Sequence, residues 1–500
     1  MLTALVLLPV LGAVATALVP GVRVAKITAI AASMVTLVLT IVIALQFELG
    51  GPLYQMTEQV TWIAPLGLSW SLGLSGISLA LVALTAVATP IVLGAMWSEA
   101  DAGGRSVKAY YALVLVLQAM VIGAFLATDV LLFYILFEAM LIPMYFLIGV
   151  YGGDKRQYAA MKFLLYNLLG GLLMLAAVIG LYLQSPAGER TFGLAELVAL
   201  DIDSTTQGWL FLGFMVAFAI KAPLWPLHTW LPDAATEAPS SQAAYLSGVV
   251  DKVGTFGMVA LVLPLFPDAT QTFAPVVVTL AVISVLYGGL LAIGQTDIKR
   301  IIAFSSISHF GVIVLGIFAL TSQGTSGSTF YMVSHGLSTA ALFIVGGFLI
   351  ARRGSRRLAD FGGVQKPAPI LAGFMLVAGL SGLAMPGLAT FVSEFLVLVG
   401  TFSRYQVAAA LATFGIVLAA LYMLIMYQRT MTGPTTPETE NTPDVRGREA
   451  IIVAPLFALL IALGVAPTAM LDPIDDATRQ TLEQVGVTDP DPVFAQGGEE

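Results

Sequence analysis

Long apolar runs dominate this chain, and short polar segments separate them. A membrane-crossing helix needs about 20 mostly apolar residues, and a chain can cross repeatedly because each helix satisfies its own backbone polar groups. The runs therefore predict an all-α polytopic membrane protein. The predicted spans number 14 and cover Leu2–Val19, Ile27–Phe47, Ile77–Trp97, Tyr110–Ala127, Val130–Val150, Ala159–Leu183, Trp209–Leu231, Ser240–Leu263, Ala274–Ile293, Ile298–Leu320, Thr329–Ile350, Leu371–Tyr405, Val407–Gln428 and Ala450–Pro467.

Basic residues are distributed unevenly over the loops between these spans. When the loops are numbered in chain order, the odd loops hold 16 of the 22 Lys and Arg residues, and the even loops with the tail hold three. The remaining three, Lys162, Lys221 and Lys252, lie inside predicted helices. Because cytoplasmic loops carry the excess of Lys and Arg, we expect the odd loops to be cytoplasmic and both termini to face outward.

Composition agrees with a membrane protein and excludes several kinds of site. The chain is 58% hydrophobic and 10% charged, whereas a soluble globular chain carries about 25% charged residues. The absence of cysteine excludes disulfides, thiol nucleophiles, and zinc or iron–sulfur sites held by cysteine. The first apolar run lacks the preceding basic residues of a signal peptide, so we expect no cleaved signal.

Two polar segments lie outside the predicted spans. Residues 432–444 are rich in Pro and Thr and predict a cytoplasmic linker. The acidic tail after Leu471 is expected to be frayed or bound to a partner.

Four charged side chains lie deep in apolar runs: Glu138, Lys221, Lys252 and Glu394. One charge at the centre of a membrane helix costs roughly 2.5–3.5 kcal/mol even on the lenient insertion scales. The functional interpretation is a path that moves charge through the membrane interior, from Glu138 through the two lysines to Glu394. The alternative is a set of buried ion pairs that only fixes helix packing, although such pairs are a poor source of stability.

Two of the spans contain helix-breaking residues. In span seven, Pro223 and Pro226 predict a break just after Lys221, since proline cannot donate the helical hydrogen bond. Span twelve is interrupted at residues 385–387, before Glu394. These spans are five apart and run in opposite directions, a pattern typical of inverted repeats in transporters. The alternative is a pair of ordinary packing kinks.

The three histidines lie in or beside predicted spans. His228 follows the break in span seven, and His309 and His335 lie in spans ten and eleven. None has the spacing of a metal site, so we expect no metal. Their ordinary pKa near 6.5 suits proton transfer, and a hydrogen-bonded core role is the alternative. Asp251 precedes Lys252, but adjacent helical residues point about 100° apart, so Asp251 could neutralise a different helix.

At these residues the chain resembles a known family. The segments LLFYILFEAMLIPMYFLIGVYGG, FAIKAPLWPLHTWLPDAATEAPSS, KRIIAFSSISHFG and HGLSTAALFIVGG are similar to the antiporter-like membrane subunits of bacterial respiratory complex I. In that family, a glutamate on helix five, lysines on helices seven and eight, and an ionisable residue on helix twelve correspond to Glu138, Lys221, Lys252 and Glu394. Glutamate at the last position is similar to the M-type members and unlike the L- and N-type siblings.

The resemblance implies a proton-translocating subunit that carries no redox chemistry itself. FMN, iron–sulfur clusters and quinone are expected in partner subunits, siblings L and N are expected neighbours, and the location is the bacterial plasma membrane. The implied division is helices one to three over residues 1–108, a five-helix repeat over 109–263, a second inverted repeat over 274–430, a cytoplasmic linker over 431–449, and a last helix with an acidic outward tail over 450–500.

The chain departs from the family at one position, where Asp251 replaces the apolar residue that usually precedes the lysine of helix eight. Two alternative functions stay open at this point. One is a subunit of a multi-subunit Na⁺/H⁺ antiporter, which has the same core. The other is a membrane scaffold that docks partners and translocates nothing.

Overall fold

The computed structural model describes residues 1–99 and 104–490, and this part of the chain is mainly helical. Eleven of its helices are long and apolar enough to cross a membrane. Three shorter apolar helices accompany them. In chain order the helices are α1 Leu2–Leu18, α2 Val22–Ala44, α3 Gly76–Ala95, α4 Val107–Leu126, α5 Val130–Ala139, α6 Leu141–Tyr151, α7 Arg156–Tyr182, α8 Leu194–Val198, α9 Ser204–Lys221, α10 Trp230–Glu237, α11 Ser240–Tyr245, α12 Lys252–Gly257, α13 Leu263–Leu265, α14 Pro267–Ile293, α15 Ile298–Phe318, α16 Ser322–Arg353, α17 Pro369–Gly382, α18 Ala389–Phe402, α19 Gln406–Met431, α20 Gly447–Val465 and α21 Thr468–Val485.

Some consecutive helices belong to one span. A single turn at Met140 separates α5 from α6, and together they cover Val130–Tyr151. Two turns of π-helix, over Leu246–Val250 and Met258–Val262, connect α11, α12 and α13 into one helix over Ser240–Leu265. Such π-helical turns occur frequently at functional sites.

The prediction of a purely α-helical protein is wrong between α2 and α3. Strands β1 (Gln55–Ile63) and β2 (Leu68–Leu74) pair there as an antiparallel hairpin. Their sequences, QMTEQVTWI and LSWSLGL, contain the β-branched and aromatic residues that favour strands, and Gly67 supplies the left-handed conformation (φ 67°) that the turn requires. The segment is too short and too polar to appear in a search for apolar spans.

The expectation of a frayed tail is also wrong as far as residue 485. Helix α21 is amphipathic and buries Ile474, Ala477, Leu482 and Val485 against the protein. It lies beside the segment that leads into the hairpin, since the Asp476 carboxylate accepts a hydrogen bond from the Gly50 backbone at 2.8 Å. Residues 491–500 of the predicted tail lie outside the described residues.

A smaller correction concerns Lys26, which was expected in the first loop. Helix α2 already begins at Val22, so Lys26 lies inside it, and its ammonium donates to the Trp97 carbonyl at 2.5 Å. Helix α2 can therefore begin before the apolar run does, because the Lys26 ammonium has a hydrogen-bond partner just after the end of α3.

Burial separates a central layer of helices from a peripheral one. Helix α15, most of α16 and the helix over Ser240–Leu265 are almost entirely enclosed by protein. The peripheral helices α2, α7, α19 and α20 expose large apolar side chains, including Leu169, Val407 and Ile451. Apolar residues therefore face outward, as a lipid-embedded surface requires, and polar side chains are concentrated in the enclosed centre.

Candidate functional site

Glu138 lies near the C-terminal end of α5 and packs against α7. An added Cβ on Gly171 would lie 1.9 Å from Glu138 Oε1, so only a glycine leaves room for this carboxylate. Oε1 is buried and has no hydrogen-bond partner among the described residues. The charge that acts on it electrostatically is the ammonium of Lys221. The structure therefore brings together the first two sequence-predicted residues.

Lys221 is the last residue of α9 and is completely buried. Its Nζ lies 4.5 Å from the ring centroid of Phe137, the residue before Glu138. Within the described part of the chain, Nζ has no hydrogen-bond partner. A buried ammonium at this place is favoured by the aromatic face and by the negative end of the α9 dipole.

The helix ends at Lys221 because Pro223 and Pro226 follow it and α10 begins only at Trp230. The carbonyls released by this ending find other donors. The Trp230 indole donates to the Ile220 carbonyl at 2.9 Å, and the backbone N–H of Leu224 donates to the Ala219 carbonyl at 2.9 Å. These bonds fix the backbone around Lys221 in a buried position where irregular structure would otherwise leave polar groups unsatisfied.

Lys252 has two close partners. Its Nζ donates to the Ser247 carbonyl at 2.5 Å and lies 2.8 Å from Nδ1 of His335 on α16. The π-helical turn makes the first contact possible, because the N–H of Asp251 bonds to the Leu246 carbonyl and leaves the Ser247 carbonyl to the lysine. The ring of Phe310 covers the ammonium at 4.5 Å. Lys252 is therefore linked directly to a titratable side chain of the second half of the protein.

His335 begins a cluster of rings that leads away from Lys252. His309 on α15 lies 5.2 Å from it between ring centroids, and Tyr422 Oη on α19 lies 3.4 Å from His309 Nε2. The ring of Tyr331 lies 5.9 Å from His309 and 6.2 Å from His335. The cluster places four proton-exchanging groups side by side in a buried region.

Glu394 lies at the other end of this cluster. It belongs to α18, which follows the interruption after Gly382, and its Oε2 accepts a hydrogen bond from Tyr331 Oη at 3.1 Å. The interrupted helix also comes near the cluster at Gly382, whose backbone influences His309. Glu394, His309 and His335 are therefore joined through Tyr331 and not by direct contact.

His228 and Lys162 lie apart from this chain of groups. The Lys162 ammonium pairs with Asp233 of α10 at 2.8 Å, and Arg300 of α15 pairs with the same carboxylate at 2.9 Å. His228 lies edge-on to Tyr287 at 5.3 Å, and Lys162 acts on it electrostatically. Lys162, which the sequence places inside a predicted helix, is therefore part of a shared ion pair.

Three buried titratable residues beside Lys221, Lys252 and Glu394 were not among the sequence-predicted site residues: Asp251, Tyr331 and Tyr422. Tyr331 could have been found from its spacing, since Tyr331, His335 and Thr339 follow one another every four residues and share one face of α16. Thr339 Oγ1 lies 3.0 Å from His335 Nε2, which confirms that this face is a polar stripe. Asp251 is recognised in the sequence only as a counter-ion for another helix, and Tyr422 carries no comparable local signal, since His309 is 113 positions away.

The arrangement suits proton transfer better than binding of a metal or an organic cofactor. Carboxylate, ammonium, imidazole and phenol groups follow one another through the centre, and each can gain or lose a proton. Within residues 1–99 and 104–490 no group of three or more His, Asp or Glu side chains could hold a metal ion.

Comparisons with known proteins agree with this geometry. The model of the family described as NADH:quinone oxidoreductase/Mrp antiporter, TM, matches residues 127–419. NADH-quinone oxidoreductase subunit M of Mycobacterium tuberculosis (strain ATCC 25618 / H37Rv) is 51% identical over 530 residues, covering 99% of this chain and 96% of the relative. The subunit of the same name from Rickettsia prowazekii (strain Madrid E) is 40% identical over 446 residues, covering 89% and 90%.

Two solved structures share the fold. A chain of respiratory complex I from Thermus thermophilus with bound NADH superposes with a TM-score of 0.88 at 31% identity, covering 96% of this chain and all of the other (100%). A chain of the Mrp complex from Dietzia sp. DQ12-45-1b superposes with a TM-score of 0.86 at 22% identity, covering 97% and 99%, which is a likeness of fold alone. The chain belongs to the family of transmembrane subunits of NADH:quinone oxidoreductase and Mrp antiporters.

Proposed function

We propose that this chain is subunit M of an NADH-quinone oxidoreductase and that it moves H⁺ across the membrane while partner subunits carry out the redox chemistry. The observation that carries the proposal is the placement of Lys221 and Lys252. Each lies buried at an irregular stretch of helical backbone, and each lies beside a second titratable group. Buried charges of this kind mark ion pathways in membrane proteins.

The proposed relay begins at Glu138 and passes through Lys221 and Lys252 to Glu394. A shift of Glu138 from about 4 to about 10 Å from Lys221 would weaken their attraction from roughly 4 to roughly 1.7 kcal/mol at an effective dielectric constant near 20. That change is large enough to switch the lysine between holding and releasing a proton. His335 and His309 then connect Lys252 with Glu394. The place of His228, which lies on the Lys162 side, stays a prediction.

In the proposed topology the chain crosses the membrane 14 times and has two interrupted crossings. Repeats over residues 109–263 and 274–430 would be inverted relative to each other. Two local likenesses support this. Asp129 and Asp297 cap α5 and α15 with the same backbone conformation (φ −116°, ψ 126°), each accepting two backbone N–H groups.

The second likeness is at the ends of the two helices that precede the interruptions. At the end of α9, the backbone N–H of Ala222 donates to the Phe218 carbonyl and that of Leu224 donates to the Ala219 carbonyl, and the same pattern of hydrogen bonds recurs at the end of α17. There they run from Leu383 to Gly379 and from Met385 to Leu380.

We further propose the surroundings of the subunit from its family and its charge pattern. The bacterial plasma membrane holds it, both termini face outward, and residues 1–108, 431–449 and 450–500 form the leading helices, the cytoplasmic linker and the last helix with its tail. Siblings L and N flank it, and FMN, iron–sulfur clusters and quinone belong to other subunits of the complex.

The function is tested by Lys221→Ala in the assembled complex. We expect NADH-driven acidification of inverted vesicles to be lost, while electron transfer from NADH to a soluble artificial acceptor shows that the complex is present. Lys366→Ala, at an exposed loop position, is the matched control and should acidify normally. Normal acidification by Lys221→Ala would overturn the proposal and favour a docking scaffold. Copurification of membrane subunits alone, without flavin or iron–sulfur proteins, would instead favour the Na⁺/H⁺ antiporter.

A further inference from the structure

Asp251 is a buried carboxylate that the relay proposed above does not use. Its side chain is 0% exposed, and neither Oδ1 nor Oδ2 has a hydrogen-bond partner in the described part of the chain. Burying an ionised carboxylate without partners costs several kcal/mol. A role in packing alone does not explain this carboxylate, since an apolar side chain would fill the same space without the unfavourable burial of charge.

The helix that carries Asp251 turns this residue toward Lys221. Gly254 lies one turn further along the same face. A Cβ added to Gly254 would lie 2.8 Å from the Ala222 nitrogen and 2.9 Å from the Phe218 carbonyl oxygen. This face of the helix therefore packs directly against the end of α9, where Lys221 lies. Among the charges that act on Asp251 electrostatically, Lys252 is the strongest and Lys221 is the second.

Lys252 points to the opposite side of the same helix. Gly248, one turn before Lys252, lies against the backbone of Gly336 on α16, with an added Cβ only 3.1 Å from the Gly336 oxygen. The Lys252 ammonium reaches His335 of α16 from the same face. Two consecutive residues thus face two different halves of the protein, Asp251 toward the α9 break and Lys252 toward α16.

We propose that Asp251 is a proton carrier between Lys221 and Lys252. The proposal rests on the function proposed above and adds a residue to its path. In the first step an N–H bond of the Lys221 ammonium breaks, and the proton forms an O–H bond on the Asp251 carboxylate, directly or across bound water. In the second step that O–H bond breaks, and the proton joins the neutral amine of Lys252. Asp251 returns to its ionised form, and one proton has passed between the halves.

A carboxylate at this place also avoids a difficulty of the two-lysine path. Two lysines close enough to exchange a proton directly would repel each other whenever both are protonated, because like charges are weakly screened inside a protein. Asp251 can hold the proton in a neutral carboxyl group while neither lysine is charged. The alternatives are a fixed counter-ion that never takes the proton and a side chain that only packs.

Three variants of the assembled complex separate these roles. Asp251→Asn keeps the shape and removes both the charge and the proton-carrying group, Asp251→Glu keeps both, and Asp251→His carries a proton without a negative charge. We expect acidification per NADH oxidised to fall about a hundredfold in Asp251→Asn, which is the lower end of the effect of a lost acid–base group. Asp251→Glu and Asp251→His should retain most of the wild-type acidification per NADH oxidised. Asp154→Asn in an exposed loop is the matched control.

The outcomes are distinct because acidification is expressed per NADH oxidised in the pumping reaction, while NADH oxidation with an artificial acceptor separately measures how much of the complex is present. Normal pumping by Asp251→Asn would overturn the proposal in favour of packing. Loss in both Asn and His with retention in Glu would overturn it in favour of a fixed counter-ion. If Lys221→Ala pumps normally, the function itself fails; if Lys221→Ala fails to pump while Asp251→Asn pumps, only the role of Asp251 is refuted.

Discussion

Glu138 occupies the space that any side chain on Gly171 would need. An added Cβ would lie 1.9 Å from Oε1 and 2.2 Å from Cδ, whereas non-bonded atoms essentially never approach a Cβ more closely than 3.0 Å. The glycine of α7 therefore fixes the position of a carboxylate on α5. Because Glu138 interacts electrostatically with Lys221, the contact between α5 and α7 also affects Lys221 on α9.

Gly171→Ala should displace the Glu138 carboxylate and lower proton pumping without removing a charge. Each kcal/mol of altered Glu138–Lys221 coupling changes a rate by about fivefold, so we expect a loss of several-fold in acidification per NADH oxidised. Gly379→Ala on α17 is the control, since nothing lies within 4 Å of its added Cβ. Equal pumping by the two variants would show that the position of Glu138 has no influence on transport.

The bond from Trp230 to the Ile220 carbonyl leads to a prediction about stability. Trp230→Phe keeps an aromatic ring but leaves a buried carbonyl without its donor, which costs about 1–3 kcal/mol. We expect a lower thermal midpoint of the purified complex and slower pumping, since the end of α9 holds Lys221. Trp209→Phe, at a position on α9 that is 73% exposed, should change neither the thermal midpoint nor the pumping rate. A midpoint equal to that of wild type would mean that another group satisfies Ile220.

Tyr331→Phe should interrupt the connection to Glu394. The variant removes the hydroxyl that donates at 3.1 Å to Oε2, and hydrogen bonds to charged groups contribute about 1.5–3 kcal/mol. We expect pumping to fall about tenfold or more, with Tyr158→Phe on the surface of α7 as the matched control. Residues that act as one unit are not additive. Adding Glu394→Gln to Tyr331→Phe should therefore cause little further loss, and a full additional loss would place the two residues on separate paths.

Local sequence patterns predict part of this molecule because part of its physics is local. A charge in a long apolar run has no route to water, so the burial of Lys221, Lys252 and Glu394 follows from the run itself. The end of α9 follows in the same way, since proline acts on its own backbone. Span length and position are set by the bilayer and need no knowledge of neighbouring helices.

Other features depend on residues that are far apart in sequence. Tyr331 and Glu394 are 63 positions apart, and nothing in either segment shows that they meet. The angle between adjacent helical residues predicts different directions for Asp251 and Lys252, yet the nearness of Asp251 to the end of α9 could be seen only from the packing of the two helices. The hairpin after α2 was missed for a different reason, because a hairpin outside the membrane spans need not be apolar.

Asp444 is the last residue of the segment over residues 432–444 that is rich in Pro and Thr. Its carboxylate caps α17 from outside the helix, accepting the backbone N–H groups of Ile370 at 3.0 Å and Leu371 at 2.9 Å. Burial alone would raise the pKa of Asp444, but these bonds and one from Val445 outweigh it and hold the pKa below its usual value. A carboxyl with a lowered folded pKa contributes stability above its unfolded pKa of about 3.9, and loses it as the pH falls through the folded value.

Asp444→Ala should therefore destabilise the protein by about 1 kcal/mol, the usual effect of losing a helix cap. The difference in thermal midpoint from wild type should stay constant from pH 7 to pH 5 and shrink only below about pH 4, where the wild-type carboxyl takes up its proton. Asp444→Asn should retain only part of the stability, since its single amide oxygen can accept from Leu371 but its amide nitrogen cannot accept from Ile370. Glu440→Ala, in the exposed part of the same linker, is the control. A difference that already disappears between pH 7 and pH 6 would show that the bonds at α17 do not hold Asp444 in its ionised form.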